Sequence, residues 1–355
     1  MSQTMHIANY PIGPGHPPFI IGEMSGNHNQ SLDKALAIVD AIAASGAHAV
    51  KLQTYTADTM TINLAKGEFF IDDPTSLWKG KSLHDLYQLA HTPWEWHATI
   101  FERARQRNLV AFSTPFDATA VDFLESLNVP AYKIASFENT DLPLIRKVAR
   151  TRKPMIISTG MATVAEIDEA VRTAKNEGCQ DIVLLKCTSS YPASSAASNI
   201  ATIPYLRTLF ECEAGLSDHT LGIGAAIASV ALGATVIEKH VTLDRSEGGV
   251  DSVFSLEPAE LKQLVQGVHT AWEAIGRVHI GPSNEESKSL VFRRSLYICE
   301  DMNAGDTLDS TNLRAIRPGY GLQPKYIEYV MGKRVNQALK KGTALSWEHL
   351  LNTTE

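Results

Sequence analysis

Cysteine is scarce and carries no pattern. The chain of 355 residues has four, Cys179, Cys187, Cys212 and Cys299, and no CxxC pair. That excludes a disulfide framework and a thiolate zinc cluster, and it fits a reducing cytoplasm. Cys187, inside an apolar run, reads as a small buried hydrophobe. A basic field is also missing. The formal net charge is −7, which removes nucleic acid as a general partner. No apolar run approaches the ~20 residues that span a bilayer, so no membrane partner is expected. The opening MSQTMHIANYPIGPGHPPF has neither the basic start nor the apolar core of a secretory leader. The glycine fingerprint GxGxxG does not follow the first strand-like run, and HEXXH spacing is absent, which counts against a dinucleotide fold and a zincin helix.

What the sequence does contain is an alternation. FIIGE (19–23), HAVKLQT (48–54), LVAFST (109–114), AYKIAS (131–136), PMIIST (154–159), DIVLLKC (181–187), EAGLSDH (213–219) and TVIEKH (235–240) read as strands. Each is followed by a helical pattern or a segment containing one; Ser31–Ser45 closes at Gly46, a good helix stop. Eight such units favour a (β/α)8 TIM barrel over an open doubly wound sheet. Residues 55–82 are long for a connection and read as a functional insertion or lid. The barrel is assigned to 1–277 and a polar linker to 278–290. Residues 291–355 read as a small β-rich domain, near the lower size limit for independent stability.

The last two barrel units focus the chemistry. His219 and His240 each stand at the polar end of a short apolar strand, and a small-residue helix joins the two strands. Such a crossover makes them parallel and puts both imidazoles at one end, where they suit a divalent metal. Polar residues also end the other strands: Glu23, Lys51, Gln53, Thr114, Lys133, Ser136, Glu138, Ser158, Lys186, Ser189, Tyr191, Ser217 and Lys239. In a barrel this is the active-site face. Lys51, Lys133 and Lys239 are hard to place in a core. They read either as internal salt bridges to Glu23 or Glu138, or as an anion site for a phosphorylated substrate. Metal-assisted chemistry, a Schiff-base lysine aldolase and a non-catalytic binding protein are the readings open on residues alone.

IGEMSGNHNQSLDKAL, AVKLQTY, FSTPFD, YKIASFENTDLPLI, ISTGMA, SDHT and IEKHVTLDR together resemble the sialic acid synthase family, in family order. The C-terminal segment with RPGYGL resembles that family's antifreeze-like (SAF) domain. Within the family, AHTPWEWH, FDATAVDFLE and GGVDSVFSLEP are most similar to the pseudaminic branch, with the N-acetylneuraminate and legionaminate branches as alternatives. The resemblance implies condensation of phosphoenolpyruvate with an acetamido sugar, for this branch 2,4-diacetamido-2,4,6-trideoxy-β-L-altrose, to a nine-carbon 2-keto acid. It implies Mn2+ or Mg2+ on His219 and His240. Lys51, Thr114, Lys133, Ser136, Ser158 and Ser217 would surround phosphoenolpyruvate, with Glu23 as the acid/base. Gln53, Glu138, Tyr191 and Asp251 would meet the sugar. Ser189 stands where the neuraminate branch commonly has Asn. Arg317 would enter the partner's site in a domain-swapped homodimer. A sugar with fewer hydroxyls should need a more apolar pocket.

Overall fold

The computed structural model describes residues 4–74 and 76–351. The first three residues of the leading segment, Thr75 of the 55–82 insertion and the last four residues of the β-rich segment lie outside the described residues. The chain divides into two compact units, Met1–Gly276 and Arg277–Glu355. Among the described residues, no helix is long and apolar enough to cross a membrane.

The first unit opens with a short antiparallel hairpin, β1 (Met5–Ile7) and β2 (Tyr10–Ile12). Eight parallel strands follow: β3 (Phe19–Glu23), β4 (Ala49–Thr54), β5 (Val110–Pro115), β6 (Tyr132–Ile134), β7 (Met155–Ser158), β8 (Ile182–Cys187), β9 (Glu213–Asp218) and β10 (Val236–His240). They pair in chain order, and β10 closes on β3 to complete the barrel. The (β/α)8 fold expected from the sequence is the fold observed. Barrel strands are covered on both faces, so their runs are apolar almost throughout; every residue of β3, β7 and β10 is buried.

Strand side chains alternate between faces. On the inward face of most strands, the amino-terminal positions are apolar (Phe19, Ile21, Phe112, Ile156, Leu185, Val236) and buried. The last inward positions are polar, and these floor the cavity described below. Gly215 lets β9 and β10 lie this close. A Cβ there would sit 2.0 Å from the Val236 carbonyl oxygen.

Outer helices begin and end on local signals. Leu32–Ser45 starts at Ser31, whose side chain accepts from the Lys34 N–H, and stops at Gly46 with φ 86°. Val164–Asn176 starts on a Thr163/Glu166 capping box. The leading hairpin, unrecognised in the sequence, buries Met5, Ile7 and Ile12 in the barrel's own core. Tyr10 packs edge-on against Phe19 and His48 at the amino ends of β3 and β4, with centroids 5.5 and 5.1 Å away. The hairpin therefore covers the amino-terminal end of the barrel.

The 55–82 insertion forms a helical turn, Ala57–Met60, and a loop held by a Phe70–Ser82 bridge and an Ile71 N–H to Lys81 carbonyl bond of 3.0 Å. It leads into the helix Leu83–Ala90.

The second unit contains the antiparallel pair β11 (Ser295–Ile298) and β12 (Leu313–Ile316), with isolated bridges such as Met302–Leu339 and Val335–Leu350. Its own small core is made by Leu296, Ile298, Leu313, Val335 and Leu345, among others. The 278–290 stretch lies within this unit, and its end, from Glu286, belongs to the 3-10 helix Glu286–Phe292. Arg317 directly follows β12 and is exposed.

Candidate active site

A cavity of about 370 Å3 opens at the carboxyl end of the barrel. Strand register brings its floor together. Glu23 stands beside Lys51 and His240, Gln53 beside Thr114, and Ser217 beside both Cys187 and Glu238. Of the residues singled out in the sequence, Glu23, Lys51, Gln53, Thr114, Ser136, Glu138, Ser158, Ser189, Tyr191, Ser217, His219, His240 and Asp251 line this one cavity. Lys133 reaches it from below through Ser158, at 2.6 Å. Arg317 belongs to the second unit.

The floor is a buried network of charges. Lys51 Nζ lies 2.6 Å from Glu23 Oε2, 3.1 Å from Thr114 Oγ1 and 3.9 Å from Glu238 Oε2. Lys133 Nζ lies 4.0 Å from Glu238 Oε1, which accepts from Ser217 at 2.9 Å. Burial raises the Glu23 carboxyl above its ordinary range; Lys51 opposes this, and the Glu238 carboxylate adds to it. Burial also works against Glu238, but Lys133 and Lys51 together pull it below the ordinary range. Burial lowers Lys133, while Glu23 and Glu238 outweigh burial at Lys51 and raise it. The two carboxylates thus separate into one easily protonated and one held ionised, the pattern of an acid/base site.

Two expectations need correction. Lys239 does not face the site. Residues 236, 238 and 240 share one face of β10, so Lys239 points the other way. Its Nζ is fully buried on Asp218, 2.8 Å away, and on the Thr220 carbonyl. The anion site keeps two of the three expected strand lysines. Cys187 is buried, as read, but it is not merely filler. It lines the cavity, and its Sγ lies 3.8 Å from His219 Nδ1. Lys186 alternates with it and turns to the Cys187 carbonyl and Thr188.

Glu238 is the main residue that the sequence reading missed. The alternation that places His240 inward also places Glu238 inward, so the signal was present. Ser25 was missed as well; its hydroxyl donates to Asp251 and accepts from Gln53 at 3.3 Å.

Several buried polar atoms make no hydrogen bond among the described residues: Ser136 Oγ, Ser189 Oγ, Glu138 Oε2 and His240 Nδ1. Buried polar atoms are normally paired, so this clustering marks a ligand site. Gly160 belongs to it. A Cβ at that position would fall 2.2 Å from Ser189 Oγ and 2.7 Å from Ser136 Oγ, filling the space between two hydroxyls.

His219 and His240 stand with ring centroids 5.1 Å apart. His219 Nδ1 is 3.1 Å from the Thr188 carbonyl oxygen, which fixes the ring. Burial drives His240 well below the ordinary histidine range, and its Nδ1 lies 3.6 Å from Asp251 Oδ2. Among the described residues, no group of three or more His, Cys, Asp or Glu is arranged to hold an ion. Two imidazoles, one with a buried nitrogen that makes no hydrogen bond among the described residues, do fit a cation that takes its remaining ligands from water and substrate.

The wall above this floor is different. Met60, Ile71, Trp78, Leu83 and Leu86, from the insertion and the helix after it, give the outer cavity an apolar side.

A closed parallel barrel with charged, partly unpaired side chains gathered at its carboxyl end is the architecture of a TIM-barrel enzyme. Comparison with known proteins makes the assignment specific. The NeuB family model matches residues 38–280 and the SAF domain model matches 293–351. Pseudaminic acid synthase of Helicobacter pylori is 43% identical over 93% of this chain and 97% of its own length. The Campylobacter jejuni pseudaminic acid synthase of serotype O:2 is 42% identical over 92% of this chain and 95% of its own length. The crystal structure of N-acetylneuraminic acid (sialic acid) synthetase from Leptospira borgpetersenii, in complex with citrate, superposes with a TM-score of 0.72 at 31% identity, covering 82% of this chain and 96% of that one. The chain belongs to the NeuB family and carries a SAF domain.

Proposed function

We propose that this enzyme is a nonulosonic acid synthase of the pseudaminic type. It condenses phosphoenolpyruvate with 2,4-diacetamido-2,4,6-trideoxy-β-L-altrose and releases phosphate. The observation that carries this reading is the cavity's division into two chemistries: a floor of buried lysines and hydroxyls under an apolar wall. The first suits a small dianion. The second suits a sugar that has exchanged hydroxyls for a methyl and acetamido groups.

On this reading Lys51 and Lys133, with Thr114, Ser136, Ser158 and Ser217, hold the phosphate and carboxylate of phosphoenolpyruvate. Gln53, Glu138, Tyr191 and Asp251 orient the sugar aldehyde, with Ser189 beside them. C3 of phosphoenolpyruvate bonds to the aldehyde carbon, whose oxygen takes a proton. Water adds at C2, and phosphate leaves with its bridging oxygen by C–O cleavage. Glu23, raised above the ordinary carboxylate range, holds or moves the proton. His219 and His240 would hold Mn2+ or Mg2+, which when bound supplies Lewis-acid polarisation of a carbonyl oxygen. The proposal extends to a homodimer, in which a second copy of the chain supplies Arg317.

The test is turnover with phosphoenolpyruvate against three sugars: the trideoxy altrose, its legionaminic counterpart and N-acetylmannosamine. The expected result is a preference for the first over N-acetylmannosamine of at least about a hundredfold in kcat/KM, about 2.7 kcal/mol of discrimination. Equal or reversed efficiencies would move the enzyme to another branch of the family.

A further inference from the structure

A second cavity, of about 440 Å3, lies directly outside the first. Its lining is largely apolar, with Leu77, Leu89 and Val253 on its outer side. Three residues line both cavities: Trp78, Leu86 and Val250. They form the partition between the two.

Trp78 is the largest part of that partition, and it is held in place. Its Nε1 donates to the Val250 carbonyl at 3.1 Å, tying the insertion to the loop after β10. Its ring stands 6.3 Å from Tyr191, and Tyr191 stands 4.6 Å from His219. The indole is thus one ring removed from the histidine pair. A substrate anchored on the charged floor would present its far end to this indole.

We propose that Trp78 is a specificity-determining residue: it limits the length of the apolar acyl substituent that the sugar carries. This inference rests on the reading of the cavity as an acylamino-sugar site. With the indole in place, the inner cavity ends at the partition and fits a short acyl group. Without it, the two cavities become one, and the outer pocket offers apolar surface to a longer chain. Leu86, on the helix Leu83–Ala90, bounds the same opening from the side.

The experiment uses the full-length enzyme and whichever acylamino sugar the wild type turns over. That sugar is prepared with its N-acetyl groups and with one replaced by N-butanoyl. The wild type should prefer acetyl by at least about tenfold in kcat/KM. In Trp78→Ala the butanoyl-to-acetyl ratio should rise by about fifteenfold, since each of two newly buried methylenes is worth about fourfold. The KM for phosphoenolpyruvate should stay unchanged. Trp78→Phe keeps a ring in the partition and should keep the wild-type length profile. If Trp78→Ala proves too unstable to assay, Leu86→Ala must shift the ratio in the same direction. A ratio unchanged in the readable alanine variant, with wild type active, overturns the inference and leaves the acylamino-sugar reading standing. A wild type that turns over no acylamino sugar overturns both.

Discussion

Replacing Glu138 by glutamine should make the barrel more stable at alkaline pH. Glu138 ends the short turn after β6, and its Oε2 is buried and makes no hydrogen bond among the described residues. Burial raises its carboxyl from an ordinary 4.5 to about 7; Lys133 opposes the rise and Asp141 adds to it. The folded state therefore holds this proton more tightly than the unfolded chain does. Below the unfolded value both states are protonated and there is no penalty. Between the two values the unfolded chain ionises first, so stability falls as pH rises. Above about 7 the loss is complete. At 1.36 kcal/mol per unit the shift amounts to about 3 kcal/mol, an upper bound because the group keeps some contact with water. Glutamine has the same shape and cannot ionise, so the variant escapes the loss. Unfolding followed from pH 5 to 8.5 should show the gap between the proteins widening in the variant's favour as pH rises. At alkaline pH the barrel's transition should differ by about 5–10 °C more than at pH 5. Parallel pH profiles for the two proteins would refute the argument. Activity should move the other way, since the proposed sugar contact is weakened and the sugar KM should rise.

Three further outcomes follow from the proposed reaction. A chelator should abolish turnover and Mn2+ should restore it, while His219→Ala and His240→Ala should be inactive yet folded; full activity in excess chelator would remove the metal from the reaction. In 18O-labelled water the label should enter C2 of the keto acid and spare the released phosphate, whereas label in phosphate would mean P–O cleavage. Arg317→Ala and His240→Ala should each be nearly inactive. Their statistically mixed dimers should recover up to about a quarter of wild-type activity, because half are mixed and each has one intact site of two; no recovery after verified subunit exchange would place Arg317 elsewhere.

The barrel was legible in the sequence because parallel strands buried on both faces read as bare apolar runs, each ending in a polar residue where the site begins. The hairpin β1–β2 was not. Three residues per strand, one of them Pro11, are too few to display a period. Most of the cavity floor was legible by motif, but Lys239 was grouped with Lys51 and Lys133, its role left open between an internal salt bridge and the anion site, and Glu238 was passed over. The strand period of two distinguishes them, and it settles Lys239 as the buried salt bridge to Asp218. The apolar wall was beyond reach for a different reason. Leu83 and Leu86 share a helix face, but Met60, Ile71 and Trp78 share no spacing with them or with one another, and only the folding back of the insertion gathers all five on one side of a cavity. The insertion itself was visible as an overlong connection, but its contents had no pattern to read.

The packed lower half of the barrel has a kinetic consequence. Because Phe19, Ile21, Phe112 and Ile156 fill the interior beneath the site, the reaction chamber is a blind well entered from the carboxyl end. The lysines sit at mid-strand, deep in that well, while the wall bearing Trp78 stands at the doorway. On the proposed reading phosphoenolpyruvate must descend first and the sugar then lies over it like a cork. Initial-rate kinetics should accordingly be ordered, with phosphoenolpyruvate leading, and a random-order pattern would contradict the geometry. On that same reading phosphate, formed at the bottom of the well, waits there until the nine-carbon acid above it has gone.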